Sequence, residues 1–78
     1  MLVEVWKKQI SNTILAGCVA MEKQEFEERQ HTYMFFAGKL SGFQSILMYD
    51  FSITPEQYNE LAQKIEEGRS KLSYYFLK

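Results

Sequence analysis

The chain has 78 residues, of which 46% are hydrophobic and 24% are charged, and its formal net charge is −1. This composition is typical of one globular domain and argues against a disordered chain. The near-neutral charge gives no basic surplus for the phosphates of nucleic acid, and it lacks the strong acidity of a DNA mimic. We therefore expect a single domain over residues 1–78, with no nucleic-acid partner.

A domain of this size has a small core. It buries only about 60% of the surface of its unfolded chain, so disulfides, a metal or another chain usually add stability. Cys18 is the only cysteine, which excludes an internal disulfide. Because metal ligands are also scarce, we expect association with another chain to supply the missing stability.

Two apolar stripes run through the first 47 residues of the chain, which contain no proline. Each repeats every three or four residues, as one face of a helix does. The first stripe is Leu2, Trp6, Ile10, Ile14, Gly17 and Met21, and the second is Phe26, Arg29, Tyr33, Phe36, Leu40, Phe43 and Leu47. The polar stretch between them still favours a helix. We predict one long first helix, which can bend in this polar stretch, where residues 30–32 are the weakest helix formers.

The sequence Ile-Thr-Pro-Glu-Gln-Tyr at residues 53–58 has the pattern of a complete helix start. Thr54 is a suitable N-cap, and Gln57 stands three residues later, at the reciprocal position of a capping box. Pro55 falls at the first helical position, where its missing N–H costs nothing. We predict a second helix from Pro55 towards Leu77 after a turn at residues 50–54, with an exposed Glu60–Lys64 pair.

These two helices predict an all-α fold, an antiparallel helical hairpin with a long first helix that can bend. The second helix covers about 35 Å at 1.5 Å per residue, so residues 2–27 have no partner within the hairpin. They either fold back as a third helix or are covered by another copy, and we favour a dimeric helical bundle. A short strand at residues 2–6 is a minor alternative. The small residues around Gly38 and Gly42 predict a close helix approach, at the level of Gly68.

The sequence offers little chemistry. Glu28 and His31 have the i,i+3 spacing of some metal-binding bundles, but no acidic residue lies opposite them in the predicted hairpin. Cys18 has no neighbouring histidine to activate it, and no glycine-rich phosphate loop follows a strand. We therefore expect no enzyme activity, no cofactor and no metal.

Surplus aromatic residues are the best candidates for a contact surface. Runs of large apolar residues at 33–36 and 72–77 exceed what one helix face can bury, which favours association. The candidate interface residues are Trp6, Ile10, Phe35, Tyr74, Tyr75 and Phe76. We interpret the chain as a small, non-enzymatic, cytoplasmic protein–protein interaction module, a homodimer that acts as a regulator, inhibitor or assembly factor of bacterial or phage type. The identity of a protein partner is open.

Two other classes of protein remain open. Arg69 and Lys71, near Tyr74 and Tyr75, suggest a small regulatory protein that associates with nucleic acid. The sequence Leu-Ala-Gly-Cys, which ends at Cys18, matches the lipidation box of bacterial lipoproteins. The stretch before it is half polar and too short to span a membrane, so we do not expect membrane attachment.

Overall fold

The computed structural model describes residues 3–78, which form three α-helices and no strand. Helix α1 spans Val3–Glu22, α2 spans Phe26–Met48 and α3 spans Pro55–Leu77. The all-α fold class predicted from the sequence is therefore confirmed. Leu2, the first residue of the first apolar stripe, lies outside the described residues.

The start of α3 agrees with the sequence prediction. The backbone N–H of Gln57 donates to the hydroxyl of Thr54 over 3.1 Å, and the backbone N–H of Thr54 donates to the Gln57 side chain over 2.9 Å. These two bonds form a capping box, with Pro55 in the first turn of the helix. In the preceding turn, Asp50 accepts hydrogen bonds from the backbone N–H and the hydroxyl of Ser52, over 3.0 and 2.6 Å.

The prediction of one long first helix is wrong. The chain leaves the helix after α1 and starts α2 at Phe26. The backbone N–H of Glu25, the N-cap residue of α2, donates to the carboxylate of Glu28 over 3.0 Å, so a new helix start is stabilised here. The break therefore lies earlier than residues 30–32, which are part of α2. Glu28, considered above as a metal ligand, acts as a capping residue.

An arginine fixes the connection between α1 and α2. The Arg29 side chain donates to the backbone carbonyl of Gln24 over 3.0 Å and to that of Tyr75, in the last turns of α3, over 3.3 Å. Arg29 interrupts the second apolar stripe, and the structure gives the physical reason. Its guanidinium satisfies carbonyl groups that the turn and the helix end leave without helical partners.

Helix α1 folds back onto both other helices. The structure therefore shows the alternative in which the N-terminal segment forms a third helix of the same protomer. The contacting residues of α1 and α3 follow one another in the same order along both helices. The Lys7–Glu60 ion pair, at 2.9 Å, lies near their beginnings, and the Glu22–Lys78 pair, at 3.9 Å, lies near their ends, so these helices are parallel. The predicted Glu60–Lys64 pair is not present among the described residues, because Glu60 contacts Lys7 of α1. Helix α2 runs in the opposite direction, and the bundle measures 41 × 17 × 16 Å.

Two glycines let α1 approach its neighbours closely. A Cβ atom added to Gly17 would lie 2.6 Å from Leu72 of α3 and 3.0 Å from Phe36 of α2. A Cβ atom added to Gly68 would overlap the side chain of Ile14, with its Cγ1 atom at 2.5 Å. A Cβ atom added to Gly68 would also lie 3.5 Å from Leu40 of α2, close to the predicted level of Gly38. The close helix approach expected at Gly38 is absent, since a Cβ atom added there would meet no atom within 4 Å.

One core joins the three helices. Its buried apolar residues are Trp6, Ile10, Cys18, Met21, Leu40, Leu47, Leu61, Ile65 and Leu72. Each helix contributes residues to this core. The buried residues of α2 belong to the second predicted stripe. Burial of one large apolar side chain contributes about 1.5–3 kcal/mol, so the residues of α1 are a substantial part of the stability.

The contact between Gly68 and Ile14 makes a first prediction. The Gly68→Ala variant should lose about 1–3 kcal/mol of unfolding free energy, because the added methyl group overlaps Ile14. Chemical denaturation measures this loss. In an Ile14→Ala background the same substitution should cost less, since the overlapping atoms are gone. Equal costs in both backgrounds would contradict the packing described here.

Candidate interaction surfaces

The structure corrects the assignment of Trp6 and Ile10 to an interface. Trp6 is 5% exposed and Ile10 is fully buried, both within the single chain. The Trp6 ring packs edge-on against Phe43 of α2, with 5.7 Å between ring centroids. The sequence interpretation left α1 without a partner inside the protomer, but α1 packs against α2 and α3. In this structure Trp6 and Ile10 offer no surface to another molecule.

A polar contact fixes Trp6 to the turn between α2 and α3. Its indole N–H lies 3.4 Å from the Oδ2 atom of Asp50, whereas the Oδ1 atom of Asp50 accepts two hydrogen bonds from Ser52. The hydrogen bonds from Ser52, with a smaller contribution from Trp6, lower the pKa of Asp50 from 3.8 to about 2. The carboxylate therefore connects the beginning of α1 to the turn that leads into α3.

The aromatic residues at the end of α3 have different environments. Phe76 is half-buried and stacks between Tyr33 and Phe26, with ring centroids 4.9 and 5.5 Å away. Tyr75 is also half-buried and lies beneath the ammonium group of Lys78. Tyr74 is 64% exposed. Of the three predicted interface residues in this segment, Tyr74 therefore offers the largest free surface.

Phe35 belongs to a larger exposed surface on α2. Its side chain is 63% exposed, and its ring contacts only the edge of Phe36 among the aromatic pairs of residues 3–78. Other large apolar side chains of α2 are exposed as well. We define the outward face of α2 as Met34, Phe35, Gly38, Gly42, Ser45, Ile46, Met48 and the C-cap residue Tyr49, all of them exposed.

The outward face of α2 contains two glycines with open space above them. A Cβ atom added to Gly38 or Gly42 would meet no atom within 4 Å. Neither glycine is needed for packing inside the protomer, although each costs a helix about 1 kcal/mol relative to alanine. Between residues 32 and 49 the one charged side chain of α2 is Lys39. The result is a face of uncharged residues, with a flat centre and large apolar side chains on both sides. Exposed Lys39 and Ser41 lie beside it, and Ser41 accepts a hydrogen bond from Arg69.

Sequence reasoning identified Phe35 but missed the second half of this face. Residues 46–49 are four consecutive large apolar residues, Ile-Leu-Met-Tyr. Only Leu47 is buried, and the other three are exposed. The same argument that was applied to residues 33–36 would have found them, since one helix face cannot bury such a run. Phe51, in the turn that follows, is 97% exposed.

Other kinds of site find little support in the described part of the chain. No group of three His, Cys, Asp or Glu side chains in residues 3–78 is placed to hold a metal ion. None of the three helices is both long and apolar enough to cross a membrane. Lipidation of Cys18 would require cleavage between Gly17 and Cys18, and that cleavage would remove Trp6 and Ile10 from the core.

The basic residues considered for nucleic acid have separate roles. The Arg69 side chain donates to the Ser41 hydroxyl of α2 over 2.6 Å and also lies 3.7 Å from the Glu66 carboxylate. Arg69 thus connects two helices and is partly neutralised. Lys71 lies in a groove between α1 and α3, near Glu67. These contacts do not form a continuous basic patch.

Comparison with known proteins gives no relative from which a function can be transferred. No family model, no curated protein and no solved structure matches the chain. The function must therefore be inferred from the surfaces of the bundle.

The contacts of Asp50 predict a dependence of stability on pH. The folded pKa of about 2 lies below the ordinary value of 3.8, so the stabilisation is present above that value and is lost as the pH falls through about 2. The Asp50→Asn variant should show a flatter stability profile between about pH 4 and pH 2 than the wild-type protein. Urea denaturation at several pH values measures this profile.

A second variant serves as the comparison. Ser52→Ala removes the hydroxyl donor but keeps the backbone donor, so its profile should lie between the other two. Profiles of equal steepness for the wild type and Asp50→Asn would show that the Asp50 contacts are not formed.

Proposed function

We propose that this chain is a small, non-enzymatic protein–protein interaction module that forms a homodimer through the outward face of α2. In this proposal, the antiparallel hairpin of α2 and α3, packed against α1, is the rigid frame that presents the face. The observation that carries the proposal is the uncharged, apolar character of this exposed face. Soluble monomers rarely expose contiguous apolar patches of this kind unless the patch binds something.

The arrangement of the face favours a two-fold symmetric contact. In a two-fold dimer the same patch faces itself, so residue i of one protomer contacts residue j of its partner and the reverse. With two antiparallel copies of α2 crossing near residue 40, Gly38 would face Gly42 of the other copy. The two glycines would let the helices approach closely, as small residues do at other helix contacts.

Larger side chains would then fill both ends of this contact. Phe35 and Met34 would lie beside Ser45 and Ile46 of the other copy. Aromatic and methionine side chains are enriched at the cores of protein interfaces, whereas charged residues are depleted there. A contact along α2 extends over about 25 Å, because residues 32–49 rise 1.5 Å each.

A further protein partner is part of the proposal. The dimer would leave Tyr74, at the far end of α3, exposed on each protomer. Tyrosine is a frequent anchor residue at interfaces, since it offers a large rigid ring with a polar end. A regulator, inhibitor or assembly factor would use such residues to contact its target.

The central test is a charge placed on the outward face. The Phe35→Glu variant should raise the dissociation constant of the dimer about 30-fold, because an interface anchor contributes about 2 kcal/mol or more. Sedimentation velocity over a range of micromolar concentrations measures the effect. Leu15→Glu is the matched control, since Leu15 is equally exposed, at 63%, but lies on α1. A monomeric wild-type protein, or a dimer unaffected by Phe35→Glu, would refute the proposal.

The two glycines of the outward face give an independent test. In dilute monomer, Gly38→Ala and Gly42→Ala should each raise the unfolding free energy by about 1 kcal/mol, because the added methyl groups enter open space. In the dimer the same methyl groups should hold the helices apart and weaken association. Stability that rises while dimer affinity falls supports a close helix contact at this point. If both quantities rise, α2 does not pack against a second copy here.

A further inference from the structure

A groove of about 360 Å³ lies along the seam between α1 and α3. It is on the side of the bundle away from the outward face of α2, and no residue of α2 lines it. The volume falls near the lower end of the range of about 300–1,000 Å³ that is usual for small-molecule sites. A site of this size suits a small ligand better than a macromolecule.

The α1 side of the groove is mainly apolar. Leu15 forms an exposed apolar wall, and Ile14 continues that wall towards the core. Cys18 is buried, with 6% of the residue exposed, and its thiol makes no hydrogen bond within residues 3–78. An apolar wall that stays open to water gains stability from any apolar group that covers it.

The α3 side of the groove carries charge. Lys64 and Lys71 lie two helical turns apart, and Glu67 lies between them, so this wall has two positive charges and one negative charge. Neither lysine forms an ion pair with any residue in the described range 3–78, whose ion pairs involve other cations. Burial raises the pKa of the Cys18 thiol, the charge of Lys71 opposes that rise, and the charge of Glu22 adds to it. The positive charge of Lys71 therefore acts on the floor of the groove.

We propose that this groove binds a small single-chain anionic amphiphile, with a medium-length alkyl chain and a terminal carboxylate. The alkyl chain lies against Leu15 and Ile14, where it removes apolar surface from water. The carboxylate receives hydrogen bonds from the ammonium groups of Lys64 and Lys71, which lack an internal partner. Charge-assisted bonds of this type are roughly twice as strong as neutral ones. A cationic amphiphile meets two like charges and a single opposite charge, that of Glu67, at the same place, and a short anion lacks the apolar contact.

Decanoate, below the concentration at which it forms micelles, is the probe. Since Cys18 is the only cysteine, its alkylation by iodoacetamide, followed by mass spectrometry, reports on the access of the reagent to this buried residue of the groove lining. With decanoate at about ten times its dissociation constant, the reaction should slow about tenfold, because only the unoccupied protein reacts. Amide shifts in nuclear magnetic resonance spectra should change along the facing turns of α1 and α3.

Control variants and control ligands define the chemistry. The Lys64→Ala/Lys71→Ala double variant should bind decanoate about tenfold more weakly or worse, whereas Lys39→Ala, on α2, should bind it normally. Acetate and decyltrimethylammonium should not protect Cys18. Phospholipid vesicles with an anionic fraction present the same chemistry as a membrane surface, and they should not protect it either.

The proposal fails if decanoate gives no protection or protects the double variant equally. It also fails if decyltrimethylammonium protects equally, since the charge would then play no part, or if only vesicles protect. The readout at Cys18 does not depend on dimer formation, so this proposal and the dimer proposal succeed or fail separately.

Discussion

The position of α1 depends on its close contact with the other two helices at Gly17 and Gly68. Helix axes in proteins are usually 8–10 Å apart, a distance set by the side chains between them. At these glycines the side chains of Leu72, Phe36 and Ile14 pack directly against helix backbone. This close packing brings α1 into a common core with α2 and α3. Without it, the apolar stripe of α1 would remain exposed, and two helices would have to form the domain alone.

The third helix changes the reason to expect association. The sequence interpretation invoked a second chain because the first apolar stripe had no cover, but α1 covers that stripe within the protomer. What remains uncovered is different. A helix in a three-helix bundle buries one side, whereas α2 has apolar residues around most of its circumference. Leu40 and Leu47 lie in the core, and Phe35 and Ile46 cannot reach it from the other side of the same helix. The case for a contact surface therefore moves from α1 to α2.

The sequence predicted the local features of the fold better than its tertiary arrangement. The start of α3 was predictable because Thr54, Pro55 and Gln57 act within one helical turn, and the core side of α2 was predictable from its periodicity. The break before Phe26 was not predictable from the sequence, because glutamate is a weak N-cap signal. Gln24 and Arg29 form their hydrogen bond only when the chain has folded. The close contact of Ile14 with Gly68 joins residues 54 positions apart, which no local pattern reveals. The same limit applies to Trp6, whose burial depends on how α1 packs.

The four glycines fall into two pairs, one that the packing of the protomer requires and one that it does not. Gly17 and Gly68 have neighbours where a side chain would begin, so the fold itself accounts for them. Gly38 and Gly42 have none, and in the protomer they only weaken α2, by about 1 kcal/mol each relative to alanine. If a second helix packed on the outward face, Gly38 and Gly42 would allow a close approach between helices, as Gly17 and Gly68 do inside the protomer. It would also cover Phe35 and Ile46 without blocking the groove between α1 and α3, which opens on the other side. Self-association through α2 and ligand binding between α1 and α3 are thus compatible in one molecule.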